Sequence, residues 1–365
     1  LPLTPARRQK VEKEMDRMAE SALRVLAFAY KPLSPGTSLT EGEAGSAGGL
    51  IFAGLAGMMD PPRKEAKEAV SLSRKAGIKT VMITGDHKAT ACAIARETGI
   101  WRPGDRVLSG GELSAMSEAE LDRVIDETTV FARVSPSDKL KIVRAFKRRG
   151  HITAMTGDGV NDAPAVKEAD IGVAMGVSGT DVTKEASDVI LLDDNFATLV
   201  AAVEEGRVIY QNIRKFIRYL LSCNIGEVLT MFLGILMGMP VVLLPIHILL
   251  INLVTDGLPA IALGLEPPDR KVMKRPPRRS TDGVFSGGLL TTILFRGSLI
   301  GLTTLAVFIR LNQTAGLDAA RTGALFALVF AQLLHVFECK SEERSLFTIN
   351  PFDNWKLLLA VLLSA

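Results

Sequence analysis

Hydrophobic and polar positions divide this chain in two. Up to about Arg218, apolar residues come in short runs between charged, amphipathic stretches; beyond it they merge into long apolar runs. A soluble domain spreads its apolar residues to suit one core, so the change of pattern predicts a soluble part joined to a membrane part. In the first part, 4–22 has a helical pattern, 23–29 (LRVLAFA) reads as a buried strand, and 35–49, rich in Gly, Ser and Glu, reads as an exposed loop. Short apolar runs then alternate with amphipathic helices. Strands are expected at 50–58, 80–83, 152–155, 171–174 and 189–192, and helices at 62–76 (behind Asp60 and two prolines), 88–97, 137–149 and 163–169. Such alternation predicts an α/β fold with a doubly wound parallel sheet, whose ligands bind at the carboxyl ends of the strands.

From Leu199 to Arg218 an amphipathic helix runs unbroken into the first apolar span, 219–239. Further spans are expected at 246–265, 289–309 and 324–337, and a fifth begins near Trp355. The first three approach the roughly 20 residues that cross a bilayer; the fourth is shorter. Arg270, Lys271, Lys274, Arg275, Arg278 and Arg279 follow the second span, whereas 239–245 carries no charge. The positive-inside rule places the basic loop in the cytoplasm, and the soluble part with it, since one crossing out and one back separate them.

Composition adds limits. With 365 residues, two or three domains fit. A net charge of +3 is too small to argue for nucleic acid. Cys92, Cys223 and Cys339 form no CxxC pair and read as reduced packing residues, with no disulfide framework and no metal cluster. No repeat and no signal peptide is visible, and both ends read as cuts.

Three features of the first part suit phosphate chemistry. Thr156–Asp162 (TGDGVND) follows an expected strand. Its glycines allow close backbone approach and its carboxylates offer hard oxygens to magnesium, although Gly, Asp and Asn also make plain turns. Thr84–Asp86 (TGD) follows another strand, where Thr84 or Asp86 could instead cap a helix. Lys139 would neutralise transferred charge. A hydroxyl, a lysine and an acidic loop thus occur in order at successive strand ends. In the apolar part, Asn224 and Glu227 are three apart, and Asn252, Thr255 and Asp256 lie three and four apart. Both spacings share a helix face. Polar groups in a bilayer are costly and mark ion pathways, and oxygen ligands suit a hard cation; interhelical hydrogen bonding is the alternative.

The segments MMDPPRKEA, MITGDHKATACAIARETGI, FARVSPSDKLKIV and TGDGVNDAPAVKEADIGVAMG resemble the phosphorylation domain of the P-type ATPases, members of the haloacid-dehalogenase-like superfamily. The resemblance implies ATP and magnesium as cofactors, with Asp158 a magnesium ligand. Thr84 and Lys139 would hold the phosphate, and Asn161 and Asp162 complete the catalytic loop. Gly85, Asp86 and Arg133 would approach nucleotide or phosphate, Arg24 would reach ATP, and Asp60 would lie in a hinge segment. It divides the chain into a remnant of the nucleotide-binding domain (1–45), the phosphorylation domain (46–198), and a stalk helix with a transmembrane bundle (199–365). The family's nucleophilic aspartate sits in DKTGT, a motif this sequence does not contain. In the family it lies N-terminal to the region present, so this stretch alone is expected to be inactive.

NIGEV, and NLVTDGLPAIALGLEPPD followed by RPPR, resemble the calcium pumps of the sarco/endoplasmic-reticulum and bacterial type. This implies one calcium site from Asn252, Thr255 and Asp256, and a second from Asn224, Glu227, Thr255 and Asp256. Gln332 stands where two-site pumps have a glutamate, which leaves the second site one charge short. The expected function is ATP-driven calcium transport across a bilayer. Two alternatives stand beside it: a pump for sodium, protons or manganese, and a non-catalytic membrane homologue that binds or regulates a partner. Four or five apolar spans do not suit a soluble phosphatase.

Overall fold

The computed structural model describes residues 4–20, 23–32, 49–58, 61–269, 271–279, 281–342, 344 and 346–365. Most of the expected loop at 35–49, and Asp60, lie outside them. Contacts divide the chain into two compact units, Leu1–Ala201 and Ala202–Ala365.

In the first unit, the helix Pro5–Glu20 precedes strand β1 (Arg24–Tyr30), which pairs antiparallel with β2 (Ile51–Met58). The strand expected at 23–29 therefore forms, but it is not buried: Leu26, Phe28 and Tyr30 are 44%, 52% and 55% exposed. The reason is pairing. A two-stranded ribbon has two faces, and no described element covers both.

Six strands then pair in parallel: β3 (Met82–Ile83), β4 (Arg106–Ser109), β5 (Thr128–Ala132), β6 (Ala154–Gly157), β7 (Ile171–Met175) and β8 (Val189–Leu191). They form two ladders, in the orders β3-β5-β4 and β6-β7-β8. Among the described residues no backbone pairing joins the ladders, but Ile83 at the end of β3 packs against the apolar cluster that contains Met155 of β6. The alternation of strands and helices gives the α/β architecture expected. Two strands went unread in the pattern, β4 and β5. β5 is buried at every position, so it shows no alternation to detect.

Helix starts are set locally. Ser109, Ser117 and Ser135 each close a capping box with an acid three residues on: Glu112, Glu120 and Asp138. The two hydrogen bonds from Ser109 hold the Glu112 carboxyl down at about 2.

In the second unit, four helices are long and apolar enough to cross a membrane: Phe196–Leu236, Pro245–Gly264, Leu289–Thr314 and Leu317–Cys339, with a shorter apolar helix at Trp355–Ser364. The first is unbroken over 41 residues, as its pattern predicted. Its later turns turn large apolar side chains outward (Val228, Phe232, Ile235) and polar ones inward (Ser222, Glu227, Thr230), the reverse of a water-soluble helix. The fourth starts about two turns before the expected 324–337. Its first turns carry Asp318, Arg321 and Thr322, which hide the helix from an apolar-run reading. The second is interrupted by a π turn at Ile251–Thr255, closed by the Asp256 N–H donating to the Ile251 carbonyl at 2.9 Å.

Two ties fix the long helix within this unit. Arg214 donates to the carbonyls of Val284 (2.6 Å) and Ser286 (3.0 Å) and grips Glu342; Asn212 donates to the carbonyl of Glu266 at 2.8 Å. Further along, helix Leu289–Thr314 lies backbone to backbone against it. A Cβ on Gly301 would stand 2.8 Å from the Gly226 carbonyl oxygen, an atom that cannot move aside. Gly301→Val is therefore expected to prise these helices apart and to lower the thermal unfolding midpoint in detergent, whereas Thr303→Val, exposed on the same helix, leaves it in place.

Candidate functional site

The chain presents two clusters, one at strand ends and one among the apolar helices. At the strand ends, β3 leads into Thr84–Asp86 and β5 into Arg133. Their backbones interlock: Thr84 N–H donates to the Phe131 carbonyl (2.9 Å), Arg133 N–H to that of Asp86 (2.9 Å) and Val134 N–H to that of Thr84 (3.3 Å). Arg133 has φ 52, a left-handed conformation rare for its type. A Cβ on Gly110 would come within 2.1 Å of the Arg133 carbonyl oxygen, so the turn needs glycine beside it. The Thr84 hydroxyl donates to Asp86 at 2.9 Å and accepts from the Asp86 N–H at 3.1 Å. Neither residue caps the following helix: His87 does, accepting from Ala89 N–H at 3.4 Å. Gly85, Asp86 and Arg133 are exposed.

The acidic loop follows β6. Asp162 folds back over Gly157, where a Cβ would lie 2.5 Å from that of Asp162. Its carboxylate pairs with Lys139 on helix Pro136–Arg148 in a nearly buried ion pair. Asp158 and Asn161 remain exposed, and the Asp158 carboxylate makes no hydrogen bond among the described residues. The loop is pinned from behind by side chains the sequence reading did not pick out. Thr183, fully buried, donates to the Gly159 carbonyl at 2.8 Å, and Thr180 N–H donates to the Asp158 carbonyl at 2.9 Å. The turn before Thr180 is held in its own right by Asp194. Its carboxylate accepts from Val177 and Ser178 N–H at 3.0 and 2.8 Å, bonds that lower it to about 2. The expected Lys139, Asp158, Asn161 and Asp162 thus share one loop and helix, and Thr84, Gly85, Asp86 and Arg133 share the adjacent strand ends. Asp162 is committed to Lys139, which leaves Asp158 as the free hard-oxygen donor, a fit to one magnesium ligand. Arg24 opens β1, but its side chain lies outside the described residues.

Among the apolar helices, Glu227 is the centre. It accepts from the Gln332 amide at 2.9 Å and from the Asn252 amide at 3.2 Å. Glu227, Thr255, Asp256 and Gln332 are all buried. The Tyr219 hydroxyl donates to Asp256 Oδ1 at 3.0 Å. Two buried oxygens of this cluster, Asp256 Oδ2 and Gln332 Oε1, have no hydrogen-bond partner among the described residues. An unsatisfied buried acceptor is costly, and oxygens left in this state suit a cation that would bind them. The π turn adds to this by loosening the helix at Asn252–Asp256; the Val254 carbonyl accepts from Ser364 at 3.0 Å.

Two expected residues are exposed, Asn224 and Asn252. Asn252 still reaches Glu227 through its amide, but Asn224 is exposed while Glu227 is buried, so the shared face of the 224/227 pair does not hold. Three residues on a helix leave two side chains about 60° apart, enough for one to face the bundle and the other to leave it. Spacing by four would have found the inward stripe: Tyr219, Cys223 and Glu227. Gln332 sits inside the cluster, bonded to Glu227.

Thr183→Val keeps the shape at 183 and removes the donor to Gly159. The Gly159 carbonyl then keeps only the Asp162 N–H, at 2.8 Å, and the lost hydrogen bond costs about 0.5–1.5 kcal/mol. The measurable result is a lower thermal unfolding midpoint.

Comparison with known proteins gives matches over nearly the whole chain. Residues 240–365 match the family described as cation transporting ATPase, C-terminus; residues 36–170 match haloacid dehalogenase-like hydrolase; residues 1–65 match P-type ATPase, cytoplasmic domain N. A calcium-transporting ATPase of Bacillus subtilis is 51% identical over 98% of this chain and 40% of its own length. Calcium-transporting ATPase 1 of Lactococcus lactis is 44% identical over 98% of the chain and 40% of its own length. An endoplasmic-reticulum-type calcium-transporting ATPase of Arabidopsis thaliana is 43% identical over 94% of the chain and 34% of its own length. The chain thus spans roughly two fifths or less of the relatives it matches.

Proposed function

The chain belongs to the P-type cation-transporting ATPases, as an integral multi-pass membrane protein, and from that premise we propose that it forms the phosphorylation and ion-binding part of an ATP-driven calcium pump. The observation that carries the proposal is the pair of unpartnered buried oxygens, Asp256 Oδ2 and Gln332 Oε1, beside the Glu227 carboxylate. Two carboxylates with the side-chain oxygens of Asn252, Thr255 and Gln332 offer hard donors, which favours a hard divalent ion over a soft metal. By this reading Glu227, Asn252, Thr255, Asp256 and Gln332 face the transported ion, and Asn224 would join from the exposed side of its helix.

In the strand-end site, magnesium would neutralise phosphate charge, held in part by Asp158. Lys139 and Thr84 would hold the transferred phosphoryl group, with Asn161 and Asp162 shaping the loop. Gly85, Asp86, Arg133 and Arg24 would meet the nucleotide. The phosphoryl acceptor would be an aspartate upstream of this sequence, entering beside the unjoined edges of β3 and β6. The division at 1–45, 46–198 and 199–365 belongs to the same reading, as does a cytoplasmic soluble unit. Ion binding must differ in strength between two states if phosphorylation is to move the ion. The unbroken helix Phe196–Leu236 carries Glu227 and is the natural element to bias that equilibrium.

The test is phosphorylation of the intact protein from ATP. Calcium should stimulate it, and Asp256→Asn should abolish the stimulation; calcium-independent phosphorylation, or stimulation by sodium alone, rejects the ion assignment. A second outcome concerns Gln332. In Gln332→Glu the new carboxylate would face Glu227 in place of the amide that now donates to it. Like charges disfavour each other without a cation between them. The thermal midpoint should then fall without calcium and recover more of that loss on calcium addition than the wild type gains.

A further inference from the structure

The cation cluster has an outer layer that none of its direct contacts explains. Glu338 lies between two partners: Oε2 is 3.0 Å from His335 Nδ1, and Oε1 pairs with Arg296 of helix Leu289–Thr314. An ionised carboxylate only accepts, so the His335 proton sits on Nδ1 and Nε2 is left as an acceptor. The Cys339 thiol, 3.4 Å away, donates to it. Both ring nitrogens are thereby occupied and the imidazole cannot rotate freely. Its face lies against Tyr219, ring centroids 6.3 Å apart and planes 30° off parallel. Tyr219 is fully buried, and its hydroxyl donates to Asp256 Oδ1, so the other oxygen, Oδ2, is the one left for a ligand. Arg218 lies near the same imidazole.

Ionisable side chains so little exposed on apolar helices are expensive: Arg296, Glu338 and His335 keep 33%, 23% and 4% exposure, and apolar side chains would fill the same space at less cost. Packing alone therefore does not account for Arg296, Glu338 and His335. We propose that His335 and Glu338 are positioning residues for the cation site: Arg296 fixes Glu338, Glu338 fixes the imidazole, the imidazole fixes the Tyr219 ring, and Tyr219 sets which oxygen Asp256 presents. This rests on the reading of the Glu227–Asp256 cluster as the transported-ion site. Partners one layer removed from a metal ligand set its orientation in the same way, and their loss costs on the order of 10–100-fold in affinity.

The experiment is a double-mutant cycle in the intact pump. Its readout is the calcium concentration giving half-maximal phosphorylation from ATP; phosphorylation from inorganic phosphate without calcium serves as a check on the fold and the strand-end site. His335→Ala and Glu338→Gln should each raise the half-maximal calcium concentration on the order of tenfold and leave phosphorylation from inorganic phosphate intact. Tyr219→Phe should raise it too. In the Tyr219→Phe background His335→Ala should add nothing further, because the route from imidazole to Asp256 is already cut. Effects that multiply in the double variant, or calcium dependence that the single variants leave unmoved, overturn the inference. If His335→Ala fails to fold, Glu338→Gln keeps the side-chain shape and decides the matter alone. A wild type indifferent to calcium is instead the failure of the parent reading and takes this inference with it.

Discussion

Two carboxylates held inside an apolar helix bundle constrain the rest of the second unit. Charge in hydrocarbon is tolerated only where partners meet it, and three helices contribute one each to Glu227 or Asp256. Helix Leu317–Cys339 supplies the Gln332 amide, the π-interrupted helix supplies Asn252, and the long helix supplies Tyr219. The π turn follows from the same constraint. A regular α-helix satisfies its own carbonyls and has none to offer, whereas an interrupted one frees backbone at the depth of the acids. Close packing completes the arrangement, since Gly226 and Gly301 let two helices meet without side chains between them.

The strand-end site is organised by the opposite need, to keep one carboxylate free and another restrained. Asp162 is tied to Lys139 and folded over a glycine, Thr183 and Thr180 anchor the loop backbone, and Asp158 is left exposed. The Lys139–Asp162 pair also settles why a lysine can sit nearly buried here. Its charge is balanced inside the cluster, and a phosphoryl group arriving at the same place would compete with Asp162 for it. Lys139 would thus link the loop geometry to the proposed phosphate binding through one charge.

Much of this was legible in the sequence because the relevant signals are local. Strand–helix alternation gives the parallel architecture, TGDGVND marks the loop, and long apolar runs mark the membrane helices. The signals that failed are those that depend on neighbours. LRVLAFA forms its strand but lies exposed, because burial is decided by what covers a strand and not by its own composition. Strand Thr128–Ala132 is buried on both faces and has no period to read. Asn224 and Glu227 share a helix but diverge in burial, since a 60° offset matters once the partner helices are placed. Arg296, His335 and Glu338 were invisible for a related reason: a hydropathy window averages them away, and only two helices brought together show that they meet.

Charge balance then bears on how many ions the cluster could hold. Glu227 and Asp256 together offer two negative charges, and the remaining side chains at the cluster, Asn252, Thr255 and Gln332, are neutral. One divalent cation balances the pair. A second would leave two positive charges uncompensated among buried groups, where desolvation is not offset by water. Gln332 is decisive in this count, because it points an amide at Glu227 and so treats that carboxylate as an acceptor already matched. On the calcium reading, the neutral side chain at 332 makes a single tightly held divalent ion the electrostatically consistent load. A second ion would require a further acid from a part of the pump outside this chain.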